Sequence, residues 1–341
     1  MEYPIDALLL RAAEMRTSDL HISDGGPAVV RINGELTQWG GILPDVFSLF
    51  DPILPQKQRV MLKNKGECDF AYEASSGQRF RINLYHSMER LSAAVRIIPR
   101  KVPACGELGL PEAIRKLAGL QSGLVLITGV TGSGKSTTLA AILNEINRAR
   151  PVHIVTLEDP VEYRFVSCRS LIHQREVGTD TKDFASGLKA ALREDPDVIM
   201  VGELRDLGTI SVAVTAAETG HLVFATLHTR SAAETVNRMI DVFPEQQQRQ
   251  IRVQLAGSLQ AVISQQLLPD TQGGRTAAFE IMIVTPALRN LIREGKSQQM
   301  DSYIQTGSRY GMQTMEESIA RLKREGKVIV FEKGDTVFDG N

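Results

Sequence analysis

One nine-residue segment constrains this chain more than any other. Residues 129–137 read GVTGSGKST, which fits the pattern G-x-x-x-x-G-K-[ST], and they stand between an apolar run at 123–128 and a helical pattern at 138–150. Glycines at this spacing let backbone N–H groups turn inward around phosphate oxygens, and the start of the following helix favours negative charge. A strand, a glycine-rich turn and a helix in this order predict a phosphate-binding loop.

Two side chains of this loop carry its charge chemistry. We expect Lys135 to neutralise the β- and γ-phosphates of a nucleoside triphosphate, and the Ser136 hydroxyl to hold Mg²⁺, so ATP and Mg²⁺ are the expected ligands. The alternative is a glycine-rich turn that fits the pattern by chance, and the flanking strand and helix argue against it. The candidate binding residues of the loop are Gly129, Thr131, Gly132, Ser133, Gly134, Lys135, Ser136 and Thr137.

Composition and charge exclude several classes of protein. The length of 341 residues suggests about two domains, and the net charge of −1 means that any surface gripping a polyanion would be a local patch. Cys68, Cys105 and Cys168 are scattered without a CxxC pair, so we expect a reducing cytosol and neither a disulfide framework nor a zinc site. There is no signal-peptide pattern and no apolar run near the ~20 residues that span a bilayer. We therefore expect any membrane association to go through a partner.

Residues 1–98 read as a small α+β domain. Apolar residues repeat at helical spacing over residues 5–16. Further along, residues 79–85 alternate between apolar and polar, and residues 91–98 form a second β-type run.

A proline-bracketed segment at 99–106 predicts a linker to a second domain at 107–341, where strand and helix patterns alternate. The predicted strands lie at 123–128, 153–157, 197–202, 221–226 and, more weakly, 277–283. The predicted helices between them lie at 135–149, 183–194, 206–219 and 231–241. This alternation predicts an α/β fold with a largely parallel sheet covered on both faces. Beyond residue 285 the pattern is helical.

Three carboxylates follow one of these strands. The segment TLEDPVEY at 156–163 ends an apolar run and places Glu158, Asp159 and Glu162 within five residues. Beside a phosphate loop, one of them could orient an attacking water or accept its proton, and Glu162 is favoured for this role. The alternative interpretation is a solvated acidic turn.

Two further strand ends carry candidate chemistry. The apolar run at 197–202 ends in Glu203, which is the Walker B pattern, and this carboxylate would hold Mg²⁺ through water. His221 and His228 bracket the next strand. We expect both at the sheet edge where open α/β folds place ligands, because an imidazole can donate to a phosphate. No third ligand stands nearby, so a metal site is not expected, and the other four histidines are interpreted as structural.

Together these segments resemble one known superfamily, the hexameric ATPases of type II and type IV secretion and of type IV pili. The resemblance extends over about residues 5–326, and within the superfamily the segments 287–294 and 304–314 are similar to pilus-retraction members. The segments that carry the wider resemblance are SDLHIS (18–23), RFRINLY (79–85), GVTGSGKSTT (129–138), TLEDPVEY (156–163), the run from Asp195 to Asp206, and TAAETGHLVFATLHT (215–229).

The resemblance implies a fold, an activity and partners. It implies a RecA-like P-loop ATPase core preceded by a PAS-like N-terminal domain. It implies a homo-hexamer that hydrolyses ATP and turns an inner-membrane platform protein to retract a pilus. It places the chain in the cytoplasm at the face of the inner membrane, attached through partners and without direct contact to nucleic acid.

The resemblance also implies roles for individual residues. Arg81 and Arg96 are candidates to reach the γ-phosphate of an adjoining subunit, since arginines on a separate domain can stabilise charge in trans. Their alternative interpretation is that of exposed strand cations. The remaining roles are Walker A for Lys135 and Ser136, an acidic box for Glu158, Asp159 and the proposed base Glu162, Walker B for Glu203, and a histidine box for His221 and His228.

Two segments depart from the superfamily, and several alternatives stay open. Residues 44–56 read less helical than we expect, and the tail at 327–341 is unlike the usual ending. A pilus-extension or type II motor usually carries a four-cysteine zinc module, which the three scattered cysteines do not provide. A type IV secretion or conjugation motor uses the same chemistry. A nucleic-acid translocase is disfavoured by 5% aromatic residues and near-neutral charge, and a non-hydrolysing nucleotide-binding scaffold is the last alternative.

Overall fold

The computed structural model describes residues 4–15, 17–32, 34–42 and 45–328. The chain divides into two compact units, one up to Lys101 and the other from Val102 onward. Within the described residues, every helix is too short or too polar to cross a bilayer.

The described residues of the first unit form a six-stranded antiparallel sheet with three α-helices. Along the strand Arg79–Ser87 the residues Phe80, Ile82 and Leu84 are fully buried, which confirms the alternation seen in the sequence. The order of the strands in the sheet is β3-β2-β1-β6-β5-β4. The strands are β1 (Asp19–Ser23), β2 (Pro27–Ile32), β3 (Glu35–Ile42), β4 (Glu67–Glu73), β5 (Arg79–Ser87) and β6 (Arg90–Ile98). The helices are α1 (Pro4–Glu14), α2 (Val46–Phe50) and α3 (Gln56–Lys65).

The sequence of residues 44–56 indicates little helix, but the structure contains helical turns from Val46 to Ile53. The interpretation of this segment as weakly helical was therefore wrong for its described part. Asp45 caps α2 by accepting a hydrogen bond from Ser48 N at 3.1 Å, and a 3₁₀ turn at Asp51–Ile53 follows directly. Pro52 and Pro55 hide this pattern: Pro52 is the second residue of the 3₁₀ turn and Pro55 is the N-cap of α3. Proline is compatible with both positions, because the first backbone N–H groups of a helix have no partner within the helix.

The second unit contains a seven-stranded sheet, parallel except for one antiparallel edge strand. The order of its strands is β13-β12-β7-β11-β10-β8-β9; the β12–β13 pair is antiparallel and the other pairs of described strands are parallel. This confirms the predicted α/β fold with a mostly parallel sheet. The strands are β7 (Gly123–Thr128), β8 (His153–Glu158), β9 (Leu171–Glu176), β10 (Val198–Val201), β11 (Leu222–Leu227), β12 (Leu259–Pro269) and β13 (Arg275–Ile283).

Helices pack on both faces of this sheet. All six residues of β7 and all six of β11 are buried, as expected for central strands covered on two sides. The helices of the unit are α4 (Glu112–Arg115), α5 (Lys135–Ala149), α6 (Phe184–Ala191), α7 (Leu207–Glu218), α8 (Ala232–Asp241), α9 (Glu245–Ser258), α10 (Pro286–Glu294), α11 (Met300–Gln305) and α12 (Met315–Arg324).

The parallel register brings four strand ends to one edge of the sheet. Thr128 at the end of β7 is paired with Leu227 at the end of β11, and Val201 on β10 is paired with Leu157 on β8. The segments that follow β7, β8, β10 and β11 therefore lie side by side, at the edge where open α/β sheets bind ligands.

Candidate active site

The loop at 129–134 has a backbone that only glycine fits at its two ends. Gly129 has φ +145° and Gly134 has φ +86°, both in the region that favours glycine. A Cβ at Gly129 would lie 2.3 Å from the carbonyl oxygen of Gln265, and a Cβ at Gly134 would lie 2.8 Å from Gln265 Nε2. The loop therefore turns closely against β12 before α5 begins.

Lys135 is folded into this loop at the first position of α5. Its Nζ donates to the carbonyl oxygens of Gly129 at 2.8 Å and Val130 at 3.1 Å. Burial lowers the pKa of Lys135, while the nearby charges of Glu203 and Glu162 raise it. Both acids predicted from the sequence thus lie near this ammonium group.

A phosphate would fit the loop. Ser133 is only 2% exposed, and within the described residues its Oγ is buried without a hydrogen-bond partner. A buried hydroxyl without a partner is unfavourable, and a phosphate oxygen would accept its hydrogen bond. The same oxygens would replace the two carbonyls at Lys135 Nζ. Of the other predicted loop residues, Thr131 and Gly132 are exposed and Ser136 is half-buried.

Thr137 connects the loop with the acidic segment that follows β8. Its Oγ1 lies 3.0 Å from the hydroxyl oxygen of Tyr163, the residue after Glu162. Glu162 is half-buried and Asp159 is exposed. The Asp159–Pro160 peptide bond is cis.

Glu158 is the buried member of the acidic segment. Its Oε1 accepts hydrogen bonds from Thr156 Oγ1 at 2.7 Å and Gln174 Nε2 at 3.0 Å, and its Oε2 accepts one from the backbone N–H of Glu162 at 3.4 Å. Burial is the main cause that raises the pKa of Glu158, and the charge of Glu162 raises it further. Glu158 therefore holds the backbone at Glu162 and leaves Glu162 as the acid beside the loop.

Glu203 lies at the end of β10 and contacts the segment after β11. Its Oε1 is 3.1 Å from His228 Nε2, its Oε2 is 2.6 Å from Arg205 Nε, and its side chain is 16% exposed. This places Glu203 and His228 at the same edge as the loop, as predicted.

His221 lies at the opposite edge of the sheet, so the expectation that both histidines stand at the phosphate edge was wrong. The carbonyl oxygen of His221 accepts a hydrogen bond from the backbone N–H of Gly123, the first residue of β7. The ring of His221 contacts the carbonyl oxygen of Ala216 at 3.0 Å. The six residues of β11 separate His221 from His228 by about 20 Å. Because the two histidines bracket a whole strand, one lies before it and the other after it, and they therefore lie at opposite edges of the sheet.

Arg81 and Arg96 are neighbours on the sheet of the first unit. They are paired residues on β5 and β6, with side chains 39% and 56% exposed. Arg81 Nε lies 3.7 Å from Asp69 Oδ1, and Arg96 Nε donates to Asp19 Oδ1 at 3.1 Å. The two predicted arginines therefore share one cleft on the sheet face, each beside an acid.

Sequence reasoning missed the contribution of β12 to the site. Gln265 is buried on this strand, and its Oε1 accepts a hydrogen bond from Thr138 Oγ1 at 2.8 Å in the first turn of α5. No motif marks Gln265, because its contact with the loop depends on β12 lying beside β7.

Comparison with known proteins agrees with this geometry. A family model described as "Type II/IV secretion system protein" matches residues 54–273. A Pseudomonas aeruginosa protein named type IV pilus retractation ATPase PilT is 48% identical over 95% of this chain and 95% of its own length.

Two solved structures are similar over nearly the whole chain. The crystal structure of the pilus retraction motor PilT with bound ADP has a TM-score of 0.87 and 43% identity, covering 97% of this chain and 95% of its own. The Legionella pneumophila ATPase DotB has a TM-score of 0.85 and 28% identity, covering 96% and 94%. The loop, the acids at two adjoining strand ends and these relatives lead to one conclusion: the chain belongs to the type II/IV secretion system protein family.

Proposed function

We propose that this chain is an ATP-hydrolysing motor that drives the retraction of type IV pili. The observation that carries the proposal is the convergence of Lys135, Glu162 and Glu203 at one edge of the sheet, where the charges of both acids act on the lysine. A lysine in a glycine-rich loop with carboxylates beside it is the arrangement that binds and cleaves a nucleoside triphosphate.

The proposed reaction is attack of water on the γ-phosphate of ATP. The water oxygen forms a bond to the γ-phosphorus while the bond from that phosphorus to the bridging oxygen of ADP breaks. Glu162 accepts the proton of the water, and Lys135 neutralises the charge on the phosphate oxygens. Mg²⁺, which Ser136 and, through water, Glu203 would hold, supplies further positive charge at the phosphates.

The assembly and its partners extend the proposal. We propose a homo-hexamer at the cytoplasmic face of the inner membrane, attached through a pilus platform protein. Arg81 and Arg96 would act on the nucleotide of a neighbouring subunit, and the segment 99–106 would serve as the hinge. The Pseudomonas aeruginosa relative, which is 48% identical and is named a type IV pilus retractation ATPase, supports the retraction role. Contact with nucleic acid is not part of the proposal.

Phosphate release by the purified full-length chain tests the ATPase activity. We expect turnover with Mg²⁺-ATP, loss of nucleotide binding in Lys135→Ala, and at least a 100-fold loss of kcat with retained ADP binding in Glu162→Gln. The control is Glu112→Gln, which removes an exposed carboxylate that contacts Lys116. If the wild-type chain showed no turnover in any oligomeric state, the motor proposal would be wrong.

A motor for protein secretion is the second candidate, since the family model that matches residues 54–273 is described as "Type II/IV secretion system protein". A deletion strain of the source organism separates the two candidates. For a retraction motor we expect extra surface pili and lost surface motility, restored by the wild-type gene and by Glu112→Gln but not by Lys135→Ala. A strain with unchanged pili and a lost secreted protein would favour the secretion motor.

A further inference from the structure

A polar side chain stands on each of three adjacent strands beside the phosphate loop. Thr128, the last residue before Gly129, is paired with Ser264 on β12, and Ser264 is paired with Glu280 on β13. Cross-strand partners share one face of a sheet, so the three side chains form a row. Thr128 and Ser264 are fully buried and Glu280 is half-buried.

Hydrogen bonds tie two members of this row to each other and the third to a helix. Thr128 Oγ1 donates to Ser264 Oγ at 3.0 Å, and the Ser264 hydroxyl faces the Glu280 carboxylate from the paired position on β12 and lowers the pKa of that carboxyl. The backbone N–H of Ala232, the first residue of α8, donates to Glu280 Oε1 at 2.7 Å. Glu280 thus belongs to the sheet, beside Ser264, and accepts a hydrogen bond from the start of a helix.

The start of α8 determines where His228 lies. Only Thr229, Arg230 and Ser231 separate His228 from α8, and Thr229 and Ser231 are hydrogen-bonded to α8 itself through Thr235. His228 in turn contacts Glu203 at 3.1 Å. A displaced α8 would therefore move His228 away from the acid.

We propose that Glu280 is a positioning residue of the ATPase site, which fixes the start of α8 on the sheet and thereby keeps His228 against Glu203. The inference rests on the proposed ATPase function. Thr128 is also held by the backbone ladders of β11 and β12, so the phosphate loop does not depend on Glu280. Loss of Glu280 therefore affects catalysis more than nucleotide binding.

Burial raises the pKa of Glu280, and the charges of Asp301 on α11 and Glu316 on α12 raise it further. A half-buried carboxyl beside two other acids is an unfavourable choice for stability alone. The hydrogen bond that Glu280 Oε1 accepts from the Ala232 N–H offsets part of this cost and indicates a positioning role for the side chain.

Three variants of the full-length chain test the proposal through kcat and KM for Mg²⁺-ATP and through calorimetric binding of ADP. We expect Glu280→Ala to lower kcat up to about tenfold, and by at least about fivefold, with the Kd of ADP within about twofold of wild type, because a small displacement of a site residue can have an effect of this size. Glu280→Asp keeps the charge but shortens the side chain, and we expect the same loss. The amide of Glu280→Gln keeps both the length and the acceptor, and we expect kcat within about threefold of wild type.

Glu316→Gln is the matched control, because it removes a neighbouring charge and none of these hydrogen bonds. Wild-type kcat in Glu280→Asp would overturn the proposal, even if Glu280→Ala did not fold. Parallel loss of kcat and ADP binding in all three Glu280 variants would also overturn it, since that pattern indicates a structural role only. An inactive wild-type chain would instead refute the proposed ATPase function, and the inference with it.

Discussion

His228 Nε2 lies 3.1 Å from Glu203 Oε1, which joins the segment after β11 to the acid at the end of β10. Arg205 holds the other oxygen of Glu203, so both carboxylate oxygens have a cationic or imidazole neighbour. The negative charge of Glu203 also raises the pKa of Lys135. Glu203 therefore links His228 to Lys135, the side chain that we expect to bind the phosphates.

The two histidines that bracket β11 should behave differently on substitution. In His228→Ala one oxygen of Glu203 loses its partner, and we expect kcat to fall about tenfold with ADP binding retained. His221→Ala is the control from the opposite edge of the sheet, and we expect kcat within about twofold of wild type. Phosphate release and calorimetry measure both variants. A larger loss in His221→Ala than in His228→Ala would show that the role of His228 is misassigned.

Burial of Glu158 predicts a pH dependence of stability. Burial raises the pKa of this carboxyl above its ordinary 4.5, so the folded state binds the proton more tightly than the unfolded state. The free energy of unfolding of the wild type should therefore fall, relative to Glu158→Gln, as pH rises above 4.5, by at most about 1.4 kcal/mol per pH unit. Urea unfolding at pH 5, 6 and 7.5 measures the difference.

Glu112→Gln provides a control of opposite sign. The hydrogen bond from Lys116 lowers the pKa of Glu112, so its contribution to stability is present above the unfolded pKa and is lost as pH falls through the folded pKa. Between pH 5 and 7.5 the wild type should lose stability relative to Glu158→Gln but keep a nearly constant difference from Glu112→Gln, and it should gain on Glu112→Gln only as pH rises through values below 4.5. A wild type that does not lose stability relative to Glu158→Gln between pH 5 and 7.5 would contradict the account of Glu158.

The parts of the site that the sequence predicts are local in the chain. The loop at 129–137 and Glu203 lie at or next to the end of an apolar run, and Glu162 follows β8 after three residues; parallel strands bring such ends to one edge of the sheet. His221 was misplaced because position before or after a strand, and not distance in sequence, decides the edge of the sheet. The sequence alone favours Glu162 over Glu158 as the base, and in the structure Glu158 is buried whereas Glu162 is half-buried.

The parts that the sequence did not predict depend on strand order. Gln265 lies 127 residues from its partner Thr138, and Glu280 lies 48 residues from Ala232. Neither residue belongs to a motif, and the hydrophobic periodicity of the sequence does not show that β12 pairs with β7. The helical turns between Val46 and Ile53 are hidden for a different reason. Pro52 and Pro55 read in the sequence as helix breakers, although they lie at the starts of helical segments.

Arg289 should be needed for stability, and Arg293 should not. Arg289 Nη1 donates to the carbonyl oxygens of Ala256 and Gly257 at the end of α9, where a cation is favoured. Arg293 is exposed and donates to Asn290 on its own helix at 2.7 Å. We expect Arg289→Ala to lower the free energy of unfolding by about 1.5–3 kcal/mol and Arg293→Ala by less than about 0.5 kcal/mol, measured by urea unfolding.

The same pair separates folding from function at α10, the helix similar to pilus-retraction members. If the outer face of α10 serves retraction, Arg293→Ala should reduce surface motility while ATP turnover and stability stay near wild type. Arg289→Lys, which keeps the cation near the end of α9, should recover part of the lost stability. Normal motility in Arg293→Ala would show that Arg293, on the outer face of α10, is not needed for retraction.

The pairing of Arg81 with Arg96 allows a test of whether they act on a neighbouring subunit. We expect the double variant Arg81→Ala/Arg96→Ala to lose turnover, as Lys135→Ala does. If the arginines act in trans, a mixture of the two inactive chains forms interfaces with an intact Lys135 on one side and intact arginines on the other. In a ring with one repeated interface, a random equal mixture makes about a quarter of the interfaces of this kind.

Turnover of the mixture should therefore rise to at most about a quarter of the wild-type rate, and clearly above that of either chain alone. The control mixes the double variant with a chain that carries all three substitutions, so that no intact arginine pair is present, and it should stay inactive. Arginines that act only within their own chain cannot produce the gain, because every subunit then lacks either Lys135 or the arginines. A mixture no more active than its components would place Arg81 and Arg96 outside the proposed role in trans.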